Sequence, residues 1–170
     1  MYKAGDNVIY GANGVMSIVD IREESIGDGV RSYYVLRPIS VRSDSFTFVP
    51  VDNENLVSLM RPLLSKDEII SEIKRAGELP ECEWNIDNRR RADSFKKILE
   101  SGNRAEILAM VRTIYNAGKR RELEGKKNFL ADDTVMKRAE KLIASEISVV
   151  LGISEEDVPA FIEKYTNAEK

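Results

Sequence analysis

The spacing of apolar positions changes period once along the chain. Between residues 7 and 51 the runs NVIY, GVMSIVDI, SYYVLRPI and FTFVPV are dense in Val, Ile, Tyr and Phe, the composition of short strands. Turn chemistry separates them. Gly11 to Gly14 (GANG) contains Asn13-Gly14, a favoured tight-turn pair, Gly27-Asp28-Gly29 follows, and then comes Ser40 to Ser45 (SVRSDS). Sequential strands joined by short turns predict a small curled antiparallel sheet or barrel. A module of this size is marginal on its own.

From Ser65 onward the apolar positions recur at helical spacing. Ser65 reads as an N-cap with Glu68 three places on, Ile69, Ile70 and Ile73 form a stripe, and Gly77 reads as the C-terminal stop. An irregular stretch follows to Asn88. The spacing then predicts a helix over 89–100 with Phe95, Ile98 and Leu99 inward and Gly102 closing it. Another is expected over 103–117, carrying Ile107, Leu108, Val111, Ile114 and Tyr115. Leu130 to Leu151 reads as a longer helix, with Asp132 and Asp133 in its first turn and Gly152 at its end. A last short helix starts near Ser154, with Asp157 in the box position and Pro159 early enough to be tolerated. The pattern therefore predicts an α+β chain of two modules, an antiparallel β domain over 1–62 and an all-α bundle over 63–170.

Composition removes most catalytic options. The chain has no histidine and one cysteine, Cys82, so a zinc site of the usual Cys/His type and a His-based triad are both excluded. GANG is not followed by the Lys-Ser/Thr of a phosphate loop, and no G-x-G-x-x-G is present. No enzyme activity, no cofactor and no metal are expected. The start, MYKAGDNVIYG, lacks the basic-then-apolar order of a signal peptide, and no apolar run approaches a membrane span. A cytoplasmic protein with no membrane partner is expected.

Net charge is −3, too small for a general attraction to polyanions, but the charge is unevenly placed. Residues 84–127 hold 12 Lys/Arg against 6 Asp/Glu, whereas 65–83 hold 3 against 6 and 128–170 hold 5 against 9. A basic middle between acidic flanks suits a local phosphate-contact face, and it also suits a solvated, salt-bridged bundle surface.

The only tryptophan, Trp84, stands at the start of that basic stretch, between the acidic run AGELPECE and Arg89, Arg90 and Arg91. Two readings stay open on the residues alone. Trp84 is a core anchor that pins a loop, or its edge is a wedge or stacking group beside phosphate-binding charges. Asp87 and Asn88 look like an N-cap pair, so the three arginines fall in a helix's first turn, where cations are disfavoured by the macrodipole. Successive ones point about 100° apart, so one or two should reach solvent or a ligand. A second cluster, Lys119, Arg120 and Arg121, ends a predicted helix, where cations are favoured on structural grounds alone.

The opening KAGDNVIYGANGVMSIVDI, the segment FTFVPVDN followed by LMRPLLS, and the single Trp84 before a basic helix start together resemble the CarD/CdnL-type transcription regulators over nearly the whole length. KAGDNVIYGANGVMSIVDI is similar to that family's F-x-x-G-D-x-V-V-Y-P-x-H-G-V opening. FTFVPVDN followed by LMRPLLS is similar to its V-P-x-x-N … L-R-P-L segment. The helical half repeats a single Trp, a basic helix start, a Ser-Gly turn (Ser101-Gly102) and a V-R-x-L-like helix at Val111 to Ile114.

The resemblance implies a Tudor/SH3-like N-terminal domain, shared with transcription-repair coupling factors, that binds the RNA polymerase β subunit. It implies a helical domain on promoter DNA at the upstream edge of the bubble, where the tryptophan wedges into the minor groove and stabilises the open complex. Carried over, Trp84 is the wedge, Arg90 and Arg91 match the basic residues after it, and Arg89, Lys119, Arg120 and Arg121 are further DNA candidates. On the polymerase side the candidates are Arg22, Glu24, Arg42, Phe48 and Pro50. A monomer is expected. The chain departs from the pattern in having Gly11 and Asn13 where the family has Pro and His, and Glu24 and Phe48 at the nearest matches to basic positions. The other reading is an adaptor that binds polymerase or another partner through its β domain without touching DNA.

Overall fold

The computed structural model describes residues 1–25, 29–39 and 45–166. Gly27 and Asp28 of the second turn, most of the 40–45 turn and Arg42 lie outside the described residues. The chain divides into two compact units, Met1–Leu63 and Leu64–Lys170.

The first unit is a five-stranded antiparallel sheet built from β1 (Asn7–Tyr10), β2 (Val15–Ser25), β3 (Val30–Pro38), β4 (Thr47–Pro50) and β5 (Met60–Pro62), in the spatial order β4-β3-β2-β1-β5. The four expected strands are present. The fifth, and the one-turn helix α1 (Glu54–Val57) before it, were not legible, because a three-residue strand ending in proline carries no period. Pro62 has no N–H to donate and is tolerated here because β5 is an edge strand. The turn at GANG is closed by the Tyr10 N–H donating to Gly14 and the Asn13 N–H donating to Tyr10, with φ of +53° at Gly11 and +86° at Gly14.

One face of the sheet makes the core: Val8, Tyr10, Met16, Ile18, Tyr34, Leu36, Val49 and Met60, with Tyr2, Leu56 and Val57 packed against it. The Tyr2 hydroxyl donates to the Met60 carbonyl at 2.8 Å. Burial, with Tyr34 and Asp6 nearby, pushes the Tyr2 phenol up. A register shift between Ile18 and Asp20 marks a bulge in β2. It offsets the alternation, so that Asp20, Arg22 and Glu24 pair with Val35, Tyr33 and Arg31 on the opposite face from the core.

The second unit is helical: α2 (Lys66–Glu78), α3 (Asn88–Ser101), α4 (Arg104–Leu123), α5 (Leu130–Leu151), a 3₁₀ turn (Glu155–Asp157) and α6 (Val158–Thr166). Its core joins Ile69 and Ile73 of α2, Phe95 and Leu99 of α3, Ile107, Met110 and Ile114 of α4, and Leu142, Ile143 and Ile147 of α5. Ser65 and Glu68 make the expected capping box. The Ser154 hydroxyl accepts from the Asp157 N–H, and Gly102 and Gly152 close α3 and α5 in the left-handed conformation.

Two expectations are corrected. The α2 helix does not stop at Gly77 but runs to Glu78. Leu79 takes an extended conformation because Pro80 follows it. The Arg112 guanidinium then meets the free carbonyls, donating to Ala76 at 2.8 Å and also to Gly77 and Leu79. The α4 helix continues to Leu123 rather than ending near 117. Gly118 lies inside it, where the Asn128 side chain comes within 3.0 Å of the place a Cβ would occupy and so leaves little room for one. Tyr115 on the same helix is 55% exposed beside buried Ile114, and the Lys119 ammonium lies 5.7 Å from the centre of its ring.

Candidate nucleic-acid interface

The segment after α2 is held against α4 by side chains. The Thr113 hydroxyl donates to the Ala109 carbonyl and accepts the Cys82 N–H, both at 2.8 Å. The Glu81 carboxylate accepts from Asn116 at 2.7 Å and from Arg120 at 3.4 Å. Asn116's donation, with Arg120 behind it, holds the Glu81 carboxyl below the usual glutamate range. This anchoring delivers Trp84 to the α3 side of the bundle. Its ring is half-buried, tilted on Phe95 at 6.1 Å between centroids, and it lies 4.3 Å from the Arg91 guanidinium.

Arg91 is the hub. Its side chain is 1% exposed and pairs with Asp132, itself 4% exposed, at 2.8 Å. Its Nε donates to both Asp132 oxygens at 3.1 Å, its Nη1 to the Asn85 carbonyl at 2.6 Å and its Nη2 to Asn88 Oδ1 at 2.9 Å. The guanidinium also lies 4.8 Å from the Phe129 ring, and Arg121 lies 3.9 Å from the same ring. Trp84, Arg91, Phe129 and Arg121 thus form a chain of alternating aromatic and cationic planes. Trp84, Gly118, Arg121, Asn128, Phe129 and Asp132 share one shallow cleft.

The expected DNA contacts separate accordingly. Arg91, expected as a phosphate contact, is instead a buried structural cation, because the fourth residue of α3 lies on its buried face with Phe95 and Leu99. Arg89 and Arg90 use their backbone N–H groups on the Asp87 cap, at 2.9 and 3.0 Å. Their exposed side chains have no partner among the described residues. In the second cluster, Lys119 pairs with Glu122 at 3.2 Å and Arg120 with Glu81 at 3.4 Å, both on the surface. Glu122 holds the Lys119 ammonium above its usual value. Arg121 donates twice to the Lys127 carbonyl and is therefore held on the bundle rather than free. Asp132, read from the sequence only as a first-turn acid, proves to be the partner of Arg91. The separation of 41 residues left no local signal for it. Phe129 and Thr113 were missed for the same reason, whereas Asn85, six residues from Arg91, contributes a backbone carbonyl that no residue type announces.

In the β unit the register gathers four polymerase candidates on one face. Tyr33 pairs with Arg22 on one side and Pro50 on the other, Val35 pairs with Phe48, and Glu24 lies two residues beyond Arg22. The Phe48 and Tyr33 rings meet edge to face at 6.2 Å. Arg22 bonds Glu24 at 2.7 Å and lies 3.5 Å from Asp20, so this face is aromatic and charge-balanced rather than basic.

Two known domains match the chain in this order: the CarD-like/TRCF RID domain over residues 2–64 and the CarD C-terminal domain over residues 69–163. The chain belongs to the CarD/CdnL-type family. None of the curated proteins compared with it matches. CarD family domains make this a transcription-associated, RNA polymerase-interacting protein, in a family of non-enzymatic transcription factors. The CarD C-terminal match takes in the whole Trp84–Arg91–Asp132 assembly, and the RID match takes in the Arg22–Phe48 face. Among the described residues no group of three His, Cys, Asp or Glu could hold a metal ion, and no helix is long and apolar enough to cross a membrane.

Proposed function

We propose that the β unit binds the RNA polymerase β subunit through the sheet face bearing Arg22, Glu24, Phe48 and Pro50. The helical unit then sits on promoter DNA at the upstream edge of the bubble, where Trp84 wedges into the minor groove and stabilises the open complex. The observation that carries this reading is the backing of Trp84. A half-buried ring rests on a guanidinium fixed by five hydrogen bonds, with the uncommitted Arg89 and Arg90 beside it. A wedge must be stiff, because a side chain that folds back on contact favours neither DNA state. A probe that fits only unstacked or widened DNA shifts the equilibrium by its differential affinity. Tethering to polymerase raises the local concentration, so weak DNA contact suffices despite a net charge of −3. The protein then works as a monomer in the cytoplasm, at the nucleoid through polymerase.

The test is promoter opening by the cognate polymerase over a salt series, with wild type and Trp84→Ala. The expected result is unchanged polymerase binding with loss of open-complex stabilisation. Equal activity of the two proteins would leave the adaptor reading, in which the β unit acts without DNA contact.

A further inference from the structure

Ile86 is 92% exposed. A lone exposed aliphatic side chain is ordinary on a protein surface, but this one stands at the apex of a loop pinned on both flanks. Before it, the Asn85 carbonyl accepts from buried Arg91 at 2.6 Å, and after it Asn88 Oδ1 accepts from the same guanidinium at 2.9 Å. Across the apex, Asn85 Oδ1 accepts the Asp87 N–H at 2.9 Å, and the Asp87 carboxylate is committed to the first turn of α3. The backbone on either side therefore cannot turn the side chain inward without breaking a bond to a buried charge.

The chemistry around the tip selects an occupant. Arg89 and Arg90 follow within one helical turn, with exposed side chains. A purely apolar partner surface would leave two guanidiniums unpaired, and a purely acidic one would gain nothing from an isoleucine. Duplex DNA satisfies both, with phosphates outside and an apolar stack reachable between base steps, where isoleucine is among the side chains that insert. Trp84 is placed differently. One face of its ring is covered by Arg91 and it packs on Phe95.

We propose that Ile86 is itself an apolar wedge, entering a base step next to the one Trp84 abuts, with Trp84 as its buttress. This rests on the DNA reading above. Division into a fixed ring and a projecting tip places the leading contact on the smaller side chain, which is the one that fits a narrow groove before it opens.

The experiment uses the full chain, the cognate polymerase holoenzyme and a linear promoter fragment with a fluorescent base analogue at the upstream bubble edge. It measures open-complex lifetime after competitor challenge, and polymerase binding without DNA. Ile86→Ala removes three carbon atoms; with one to two of them buried against the base step, the lifetime gain is expected to fall about four- to fifteenfold, with a lower base-analogue signal. Polymerase binding should hold, and Ile86→Leu should retain the gain. Full activity of Ile86→Ala beside a defective Trp84→Ala overturns the proposal and leaves the DNA reading standing. Full activity of both variants overturns the two together. Weakened polymerase binding by Ile86→Ala without DNA makes the tip a protein contact and also overturns the proposal.

Discussion

Arg91 and Asp132 share a buried ion pair made of three hydrogen bonds across 41 residues of sequence, with Nη2 and Oδ2 2.8 Å apart. Through Asn85 and Asn88 the same guanidinium sets the shape of the loop that carries Trp84 and Ile86. A buried pair of this kind contributes little net stability against a well-packed apolar replacement, while loss of one partner leaves an uncompensated charge.

Asp132→Ala should therefore destabilise the helical unit by about 3–5 kcal/mol. Denaturant unfolding followed by tryptophan fluorescence measures it, because Trp84 is the only tryptophan and reports this unit alone. The double change Arg91→Met with Asp132→Leu should recover most of that stability, yet still lose promoter activity because the loop is released. Full activity in the double variant would separate the pair from the positioning of Trp84.

Thr113 joins α4 to the Trp84 segment with one hydroxyl. Thr113→Val keeps the volume but leaves the Cys82 N–H without its acceptor, a cost of about 1–3 kcal/mol where that group stays shielded from water. Thr113→Ser should retain the bond. Amide exchange at Cys82 distinguishes the two, with faster exchange expected only in the valine variant.

The Glu81 contact predicts an acid sensitivity of the same segment. A carboxyl held below its ordinary value of 4.5 adds stability that is fully present above that value and is lost as pH falls through the lowered one. Trp84 fluorescence should therefore change as pH drops below 4.5. Glu81→Gln should reduce the local part of that change. An identical acid profile in the variant would assign the transition to other carboxylates.

Arg89 and Arg90 should act on DNA and not on folding. Arg89→Ala or Arg90→Ala should leave stability within about 0.5 kcal/mol, as for exposed positions outside any network. Each should lower the slope of the logarithm of DNA affinity against that of salt concentration by about 1. Arg91→Ala should instead unfold or loosen the helical unit, since it strips Asp132 of its partner. Polymerase-tethered promoter binding across a salt series, read beside a thermal melt, tests all three together.

Much of the fold was legible because its rules are local. Ser65 with Glu68, Ser154 with Asp157, and Gly102 and Gly152 mark helix ends within a few residues of themselves, and runs dense in Val, Ile, Tyr and Phe between turn residues mark β1 to β4. The errors came from competition between local signals or from elements too short to show a period. Pro80 overrode Gly77 as the stop of α2, α4 runs on through Gly118 to Leu123, and β5 is three residues ending in proline. The Trp84 region was legible only as a composition, a ring beside arginines, and the roles of those arginines were not.

The order of two modules, the helix caps, the absence of histidine chemistry and the lopsided charge are properties of the amino-acid sequence by itself, since each depends on residue type or on neighbours within a turn or two. Which arginine is buried, which are free and what Trp84 rests on were decided only by the tertiary structure. The first turn of α3 sends Arg89, Arg90 and Arg91 in three directions. Only the arrival of α5, bringing Asp132 to 2.8 Å, makes it favourable to take the third one out of water.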